Sequence, residues 1–409
     1  MSDLVTRAQT ILLARTLHVP AERLTHLEKL GAQGLHELQE RMARVIFERH
    51  NATFSRLSML VPVVPLSISL PLVQRLVPPV MAGRAAGAIG VDHPRKAVEA
   101  LDILDPAYAA DGAPYMDPHT VGRLADVAPP QPVVRIVNEI LRRRDYVTAG
   151  PFLAYATPQL IEAVEHGVHD DEGLIRSAAY SYSGESISVI VRHLLDGPTQ
   201  RIPRLIRTIV SGPDELRLAA LSVFARTDPD VIAAIGDVLF DLGTPEEIAD
   251  LVTTFLEAEA VPETLRFIAQ LSPTALAVLA ANPIMRDTAT VATVVDVLDG
   301  CADHDQWRGL LVLSEHVEPD TARRIGTRFG DFDTATLTRL PAVTAATELW
   351  PPLLRLLAAA EAEASAQSRI GETWSTLPES ERRGLEQRIR EHGLDEALTA
   401  LTATLHLVH

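Results

Sequence analysis

Two short segments place histidine, cysteine and carboxylate side chains close enough together to suggest a metal site. The segment EHGVHDDE, from Glu165 to Glu172, holds two histidines and four carboxylates, and CADHD, from Cys301 to Asp305, holds a thiol, an imidazole and two carboxylates. Zinc and other transition metals take these ligands. However, Gly167 stands where a helix would end, and CADHD has no matching second cluster. We therefore interpret both segments as helix ends or loops and predict no metal site.

Two other segments have compositions that occur in catalytic or anion-binding sites. AYSYSGES, from Ala179 to Ser186, lacks the G-x-S-x-G pattern of a hydrolase nucleophile turn, and we expect Ser183 to cap the next helix. RRRDY, from Arg142 to Tyr146, is typical of a helix C-terminus, where arginine is electrostatically favoured. The chain also has no glycine-rich phosphate loop and no H-E-x-x-H motif. We accordingly assign no catalytic, cofactor-binding or metal-binding residue and expect no enzyme activity.

The composition favours closely packed helices. Of the 409 residues, 47% are apolar but only 4% are aromatic, and alanine, leucine and valine dominate. The formal net charge of −17 argues against nucleic acid as the main partner. An anionic membrane would also be repelled on average, although a local basic patch could override that repulsion.

Residue usage also bears on the compartment and on the basic side chains. Cys301 is the only cysteine, so no disulfide can form within the chain. The first twenty residues lack the pattern of a secretory signal, and we expect a cytoplasmic location, with membrane association left open. Lys29 and Lys96 are the only lysines among 37 basic residues, which we attribute mainly to a GC-rich genome.

A short helix-start signal recurs along the chain. In most copies it consists of a capping residue, a proline and a polar or acidic residue, followed by apolar residues at helical spacing. Proline fits the first helical position because its missing N–H has no partner there. Thr244 and Glu247 also match a capping box. The nine copies are DPHT at Asp117, TPQL at Thr157, GPDE at Gly212, DPDV at Asp228, TPEE at Thr244, VPET at Val261, SPTA at Ser272, EPDT at Glu318 and LPES at Leu377.

The spacing of these signals predicts an all-α fold built as an α-solenoid, a superhelix of short helical hairpins. Pro213, Pro229, Pro245 and Pro262 follow one another every 16 or 17 residues. Two such steps give a hairpin of about 33 residues, within the range of α-solenoid repeats. We predict an amphipathic and apolar helical region over 1–90, the repeat array over 91–350 and a C-terminal helical cap over 351–409. Within the first region, Glu22 to Phe54 is expected to form one long helix.

The stretch from Ser58 to Gly83 is mostly apolar and carries a single charged residue, Arg75. Its prolines, Pro62, Pro65 and Pro71, disfavour one spanning helix, because an interior proline costs about 3 kcal/mol. We expect two short helices, broken at these prolines and covered by side chains of the preceding helix. A membrane-dipping or partner-binding element is the alternative. The covering residues would be Leu27, Leu38, Met42 and Val45, and the residues proposed for membrane or partner contact are Leu60, Val63, Val64, Leu72, Leu76, Val80 and Met81.

The array from about Asp117 to Asp299 resembles the cytosolic N-terminal helical domain of bacterial MgtE-type magnesium channels, and also helical-repeat proteins of actinobacteria. The similarity lies in phrases such as TPEEIADLVTTFLEAE and DPDVIAAIGDVLFDLG, which are short helices with a proline start and an acidic first turn. It covers under half of the chain and implies a series of short helices. Ion transport and magnesium ligands are not implied, because no channel segment matches.

Three functions remain compatible with the sequence. The first is a non-catalytic scaffold whose curved surface binds a protein partner, with homo-oligomers also compatible. The second is a peripheral membrane protein that uses residues 57–83, and the third is a protein that binds a lipid or another small molecule. No cofactor is predicted.

Overall fold

The computed structural model describes residues 4–58, 65–360 and 364–405, and all regular structure in these ranges is helical. The all-α prediction is therefore confirmed for this part of the chain. The chain forms two compact units, Met1–Val231 and Ile232–His409. The three regions predicted over 1–90, 91–350 and 351–409 stay predictions.

The helices that begin in the first unit are mostly short. They are α1 (Leu4–Leu17), α2 (Gly31–Ser58), α3 (Leu66–Leu76), α4 (Pro79–Asp92), α5 (Pro94–Ile103), α6 (Pro106–Gly112), α7 (Pro118–Ala125), α8 (Pro130–Arg142), α9 (Tyr146–Ala149), α10 (Pro158–Gly167), α11 (Asp171–Ala179), α12 (Gly184–Asp196), α13 (Arg201–Val210), α14 (Asp214–Phe224) and α15 (Pro229–Leu242). Short 3-10 helices lie at Ala21–Arg23, Thr25–Leu30, Ala113–Tyr115 and Gly150–Tyr155.

The second unit continues with helices of similar length. They are α16 (Pro245–Glu257), α17 (Val261–Ile268), α18 (Pro273–Ala281), α19 (Thr288–Asp296), α20 (His304–Ser314), α21 (Pro319–Phe329), α22 (Thr334–Thr347), α23 (Trp350–Ala359), α24 (Ala364–Ser375), α25 (Glu379–Glu391) and α26 (Thr399–Leu405). A 3-10 helix lies at Pro283–Arg286.

All nine start signals stand at the beginning of a helix, as predicted. The capping box of α16 is present: Thr244 Oγ1 accepts from Glu247 N at 3.2 Å, and Glu247 Oε2 accepts from Thr244 N at 2.9 Å. Asp117 caps α7 in the same way, accepting from Thr120 N at 2.9 Å. Because capping depends on residues within one turn, the sequence alone could locate these ends.

Helices two places apart in the chain pack on each other within each unit. In the first unit α4, α6, α8, α10 and α12 form one such series, and in the second unit α18, α20, α22, α24 and α26 form another. This is the contact pattern of stacked helical hairpins. The superhelical shape itself stays a prediction.

Side-chain hydrogen bonds connect neighbouring hairpins. Many side chains donate to a backbone carbonyl one hairpin earlier in the chain, which ties each hairpin to the one before it. Four of these bonds, at separations of 36 or 37 residues, run from Asn282 to Pro245, from Thr321 to Met285, from Arg369 to Phe332 and from Trp374 to Leu337. Other bonds of this kind span from 33 to 48 residues, so they do not fix the repeat length, and the repeat of about 33 residues stays a prediction.

A large buried cluster lies in the second unit. Trp307 packs edge-on against Phe329 and Phe332, with ring centroids 6.0 Å away in each case, and aliphatic side chains from α17 to α26 surround them. Gly326 lies so close to the carbonyl group of Leu356 that a Cβ atom would overlap it. Close approach of this kind lets α21 and α23 pack with their backbones in contact.

Candidate docking surface

The apolar stretch after α2 is broken, as expected, but not at every proline. Pro65 precedes α3, and Pro79 opens α4 after Pro78 has ended the previous turn. Pro71, however, lies inside α3, where it removes one backbone donor without ending the helix. The expected break at Pro71 is therefore wrong, and Pro62 lies outside the described residues.

Helix α3 shows a stripe of large apolar side chains to solvent. Ile68, Leu72 and Leu76 follow one another every four residues and are 63%, 53% and 73% exposed. This spacing puts them on one face of the helix, and we call the three residues the α3 stripe. No residue of α3 is buried.

The expected cover from the preceding residues is incomplete. Val45 on α2 is itself 59% exposed, and Leu27, Leu38 and Met42 are only half-buried. An apolar helix normally buries one face against the core, so α3 departs from the rule that the prediction applied. The interpretation of this stretch as a covered core segment is therefore wrong for α3.

The predicted contact residues fall into three groups. Leu72, Leu76 and Met81 are exposed, and Val80 is half-buried. The sequence analysis missed Ile68, although its spacing of four residues from Leu72 could have identified it. The other three predicted residues, Leu60, Val63 and Val64, lie outside the described part of the chain.

The opposite side of α3 is fixed by polar contacts. Gln74 Oε1 accepts from Asp105 N at 2.7 Å, and Tyr108 Oη donates to the carbonyl of Val77 at 2.9 Å. Burial raises the pKa of Tyr108, which keeps this phenol protonated as a donor. Both contacts lie away from the stripe, so α3 is held in place while its apolar side chains stay accessible.

The sequence around the stripe is basic, in contrast to the rest of the chain. Residues 41–91 contain six arginines and one glutamate, whereas the whole chain carries a formal net charge of −17. Arg44, Arg49 and Arg75 are exposed. The average charge of the chain concealed this asymmetry, which a count over a 50-residue window would have revealed.

A cleft of about 110 Å³ lies beside the N-terminal helices, bounded by α1, α2, α4 and the segments 113–118 and 147–152. Arg84 lies on its wall with its guanidinium carbon 6.0 Å from the centroid of the Tyr115 ring. His50 lies nearby; burial lowers its pKa, and the charges of Arg84 and Arg49 lower it further. The wall of the cleft therefore carries Arg84 and Arg15, of which Arg15 is paired with Asp145, and it also carries Asp117.

The histidine and carboxylate segment EHGVHDDE is a helix junction. Helix α10 ends at Gly167, and Asp170 caps α11 by accepting from Gly173 N at 2.8 Å. Asp171 binds two arginines of α13, with Arg201 Nη2 and Arg204 Nε each 2.6 Å from one of its oxygens. The carboxylates that a metal would need are thus used by backbone donors and arginines.

The remaining motifs also have structural roles. Asp303 of CADHD caps α20 and binds Arg266 at 2.9 Å, while burial raises the pKa of the Cys301 thiol. Ser183 caps α12, as predicted, and accepts from Ser186 N at 3.1 Å. These contacts explain the motifs by helix ends rather than by chemistry at an active site.

Two arginines of RRRDY, at the C-terminal end of α8, form ion pairs. Arg142 and Arg143 both bind Glu139, and their hydrogen bonds hold the pKa of Glu139 at about 2. Arg143 also binds Asp111 at 2.5 Å, which connects α8 to α6. RRRDY lies at the end of α8, as predicted, and the Arg142 side chain is 71% exposed, whereas Arg143, at 27%, is partly buried by its ion pairs.

Among residues 4–58, 65–360 and 364–405, no cluster of three or more histidine, cysteine or carboxylate side chains could hold a metal ion. None of the helices in these ranges combines the length and hydropathy that crossing a bilayer requires. No protein-family model matches this chain, and no curated protein shows significant similarity to it.

Proposed function

We propose that this protein is a non-catalytic α-helical repeat scaffold that binds a protein partner through the α3 stripe. The observation that supports this proposal is the exposure of Ile68, Leu72 and Leu76, each more than half accessible on one helix face. Burying such a side chain in an interface gains about 1.5–3 kcal/mol. Exposed apolar surface that is held in a fixed position is typical of interaction sites.

The rest of the molecule is suited to holding such a surface rigidly. Within each unit, hydrogen bonds link neighbouring hairpins, and the residues that first suggested chemistry act as caps and ion pairs. The resemblance of the array to the MgtE-type helical domain supports a role for stacked hairpins, without any implication of ion transport. A rigid stack can present α3 in a defined orientation to a partner.

The test compares the double variant Leu72→Asp, Leu76→Asp with the wild-type chain. We expect the variant to stay folded, because both side chains are exposed, and to lose a partner that wild-type protein captures at near-native abundance. Val189→Asp is the matched control, since Val189 is 48% exposed on α12 in the same unit. Undiminished capture of the same partner by the double variant would contradict the proposal.

The charge distribution favours a second candidate, peripheral attachment to an anionic membrane. An apolar helix flanked by arginines can lie in the lipid headgroup region, and anionic lipids attract each basic residue by about 1 kcal/mol. The six arginines within residues 41–91 fit this arrangement better than the acidic remainder of the chain.

Flotation with vesicles separates the two candidates. Phosphatidylcholine vesicles with 30% phosphatidylglycerol would carry wild-type and Val189→Asp protein to the top of a gradient, but not the Leu72→Asp, Leu76→Asp variant. Vesicles of phosphatidylcholine alone should bind less. Failure of wild-type protein to float on the anionic vesicles would exclude the membrane candidate and leave the protein partner.

A further inference from the structure

The N-terminal helices α1 and α2 lie across the helical stack of the first unit rather than at its end. His36, near the start of α2, stacks on Tyr182 with ring centroids 3.9 Å apart. Further along the same helix, Phe47 packs beside Gly87. One helix thus touches residues that are 95 positions apart in the chain and belong to different hairpins.

Helix α1 crosses the same face of the stack. Arg15, in its last turn, forms a two-pronged ion pair with Asp145 at 2.6 and 2.7 Å. His18, which follows α1, lies 5.9 Å from the ring of Tyr115, and α1 also packs on α14. Because eight of its fourteen residues are buried, α1 fills a groove formed by α2 and by successive hairpins.

The connection between α1 and α2 packs mainly on these two helices. It runs over residues 18–30 and contains the 3-10 helices Ala21–Arg23 and Thr25–Leu30, neither of which has a buried residue. Its ends are marked by positive φ angles, 56° at His18 and 69° at Gly31. Because α2 also packs on α4 and stacks on Tyr182, it keeps contacts with the hairpins that do not involve α1.

The fit of α1 in its groove is incomplete. Gln9 is fully buried, and neither of its amide atoms forms a hydrogen bond with another described residue. An unpaired amide in such a position disfavours the docked state. The 110 Å³ cleft also adjoins α1, with Leu12, Arg15 and Thr16 on its wall. Atoms of α1 that line this cleft have no neighbours on that side and so lack the dispersion contacts that a closely packed helix makes.

We propose that α1 is a displaceable occupant of a helix-binding groove, and that a protein partner inserts there an α-helix with the chemistry of α1. That helix would have small and aliphatic residues on its buried side, as Ala8, Leu12 and Leu13 are in α1, and an arginine in its last turn for Asp145. This inference rests on the proposed scaffold function but not on the α3 stripe. Release of α1 would regulate access to the groove.

The test uses the full chain and a fluorescent peptide with the sequence of residues 1–20. In the Arg15→Glu variant the tethered α1 is repelled by Asp145, while the peptide keeps its arginine. We expect the peptide to bind this variant at least tenfold more tightly than wild-type protein, measured by fluorescence anisotropy. In the matched Asp145→Ala variant α1 is also loosened, but the anchor of the peptide is lost, so the gain should be much smaller.

Hydrogen exchange checks that the groove has opened without unfolding. Backbone amides of Leu4–Leu17 should exchange faster in Arg15→Glu than in wild-type protein, with α11 to α14 unchanged. Arg15→Gln serves as a milder variant if the charge reversal disturbs the fold. The peptide should bind equally well when Arg15→Glu is combined with Leu72→Asp and Leu76→Asp, which separates this inference from the function proposed for the stripe.

Three results would overturn the inference. The first is faster exchange of α1 in Arg15→Glu without any gain in peptide affinity. The second is exchange of α1 in wild-type protein only through unfolding of the whole first unit, which would make α1 a permanent part of the core. The third is a dimer of Arg15→Glu that excludes the peptide, since the occupant would then be α1 of a second copy.

Discussion

Arg201 is the most deeply buried arginine described in the first unit, and its replacement gives a quantitative test of how the hairpins are joined. The residue opens α13 and is 1% exposed. Its Nη2 lies 2.6 Å from Asp171 Oδ1, and its Nη1 donates to the carbonyls of Glu165 and Val168 at 3.0 and 2.7 Å. One guanidinium therefore binds carbonyls at the end of α10 and a carboxylate at the start of α11.

Removal of this side chain should destabilise the first unit strongly. Breaking a buried ion pair from one side costs about 3–5 kcal/mol, because the other charge is left without its partner. Two carbonyls would also lose their donor, at about 1–3 kcal/mol for a buried group. Arg204 still binds Asp171 after the change, so we expect a total of about 3–5 kcal/mol for Arg201→Ala.

Arg204→Ala is the matched control because Arg204 binds the same carboxylate from a side chain that is 49% exposed. An exposed ion pair is worth about 0–1 kcal/mol, so the control should change stability little. Urea denaturation would give the loss for each variant, and hydrogen exchange in α10 to α13 would assign it to the first unit. If Arg201→Ala and Arg204→Ala lowered the free energy of unfolding equally, Arg201 would not be the residue that joins α13 to α10 and α11.

Three further changes test other parts of the molecule. Thr244→Ala should lower the free energy of unfolding of the second unit by about 0.5–2 kcal/mol, measured in urea, because the hydroxyl that accepts from Glu247 N is lost. Gly326→Ala should lower the melting temperature, since the new methyl group meets the carbonyl of Leu356 and overpacking costs about 1–3 kcal/mol. Glu139 has a pKa of about 2 in the folded protein, so its ionised form stabilises the fold at any pH above its pKa in the unfolded chain. This contribution should disappear as the pH falls from about 4.5 towards 2, and NMR would follow the titration of the carboxyl group.

Each of these three predictions has a control and a result that would contradict it. Thr253→Ala, at an exposed position within α16, should be nearly neutral, and a loss equal to that of Thr244→Ala would argue against the cap. Gly384→Ala, which meets only the flexible end of Arg388, should not lower the melting temperature. A Glu139 carboxyl that titrates near 4.5 in the folded protein would show that its two arginines do not bind it in solution.

Features that depend on one turn of chain could be predicted, and features that depend on distant residues could not. The caps at Thr244 and Ser183 involve side chains and backbone within three residues, so their residue types were sufficient. The break before α2 was missed, because Gly31 has a φ of 69° that separates the 3-10 turns from the helix. From sequence alone, a glycine is compatible both with a continuous helix and with a break in the helix.

The candidate site was predicted in part for the same reason. Composition located the apolar stretch, and Leu72, Leu76 and Met81 were among the residues named for contact. Whether they are covered depends on where α2 runs, and α2 packs on α4 and on Tyr182 instead of on the α3 stripe. The path of α2 is determined by contacts between residues far apart in the chain, and the periodicity of the sequence does not reveal these contacts.

The preference for arginine over lysine has a physical role in this fold besides any bias of the genome. Arginines donate to carbonyls near the C-terminal ends of helices in the preceding hairpin, where the helix dipole and unpaired carbonyls make the surroundings negative. Arg201, Arg226, Arg308 and Arg324 all do so. A guanidinium has five donors in a planar fork and can bind a carboxylate and a carbonyl at once, whereas an ammonium group is a compact, strongly hydrated charge. Acidic residues that begin helices and arginines that bind helix ends thus hold successive hairpins together, which gives an acidic chain a structural reason to be rich in arginine.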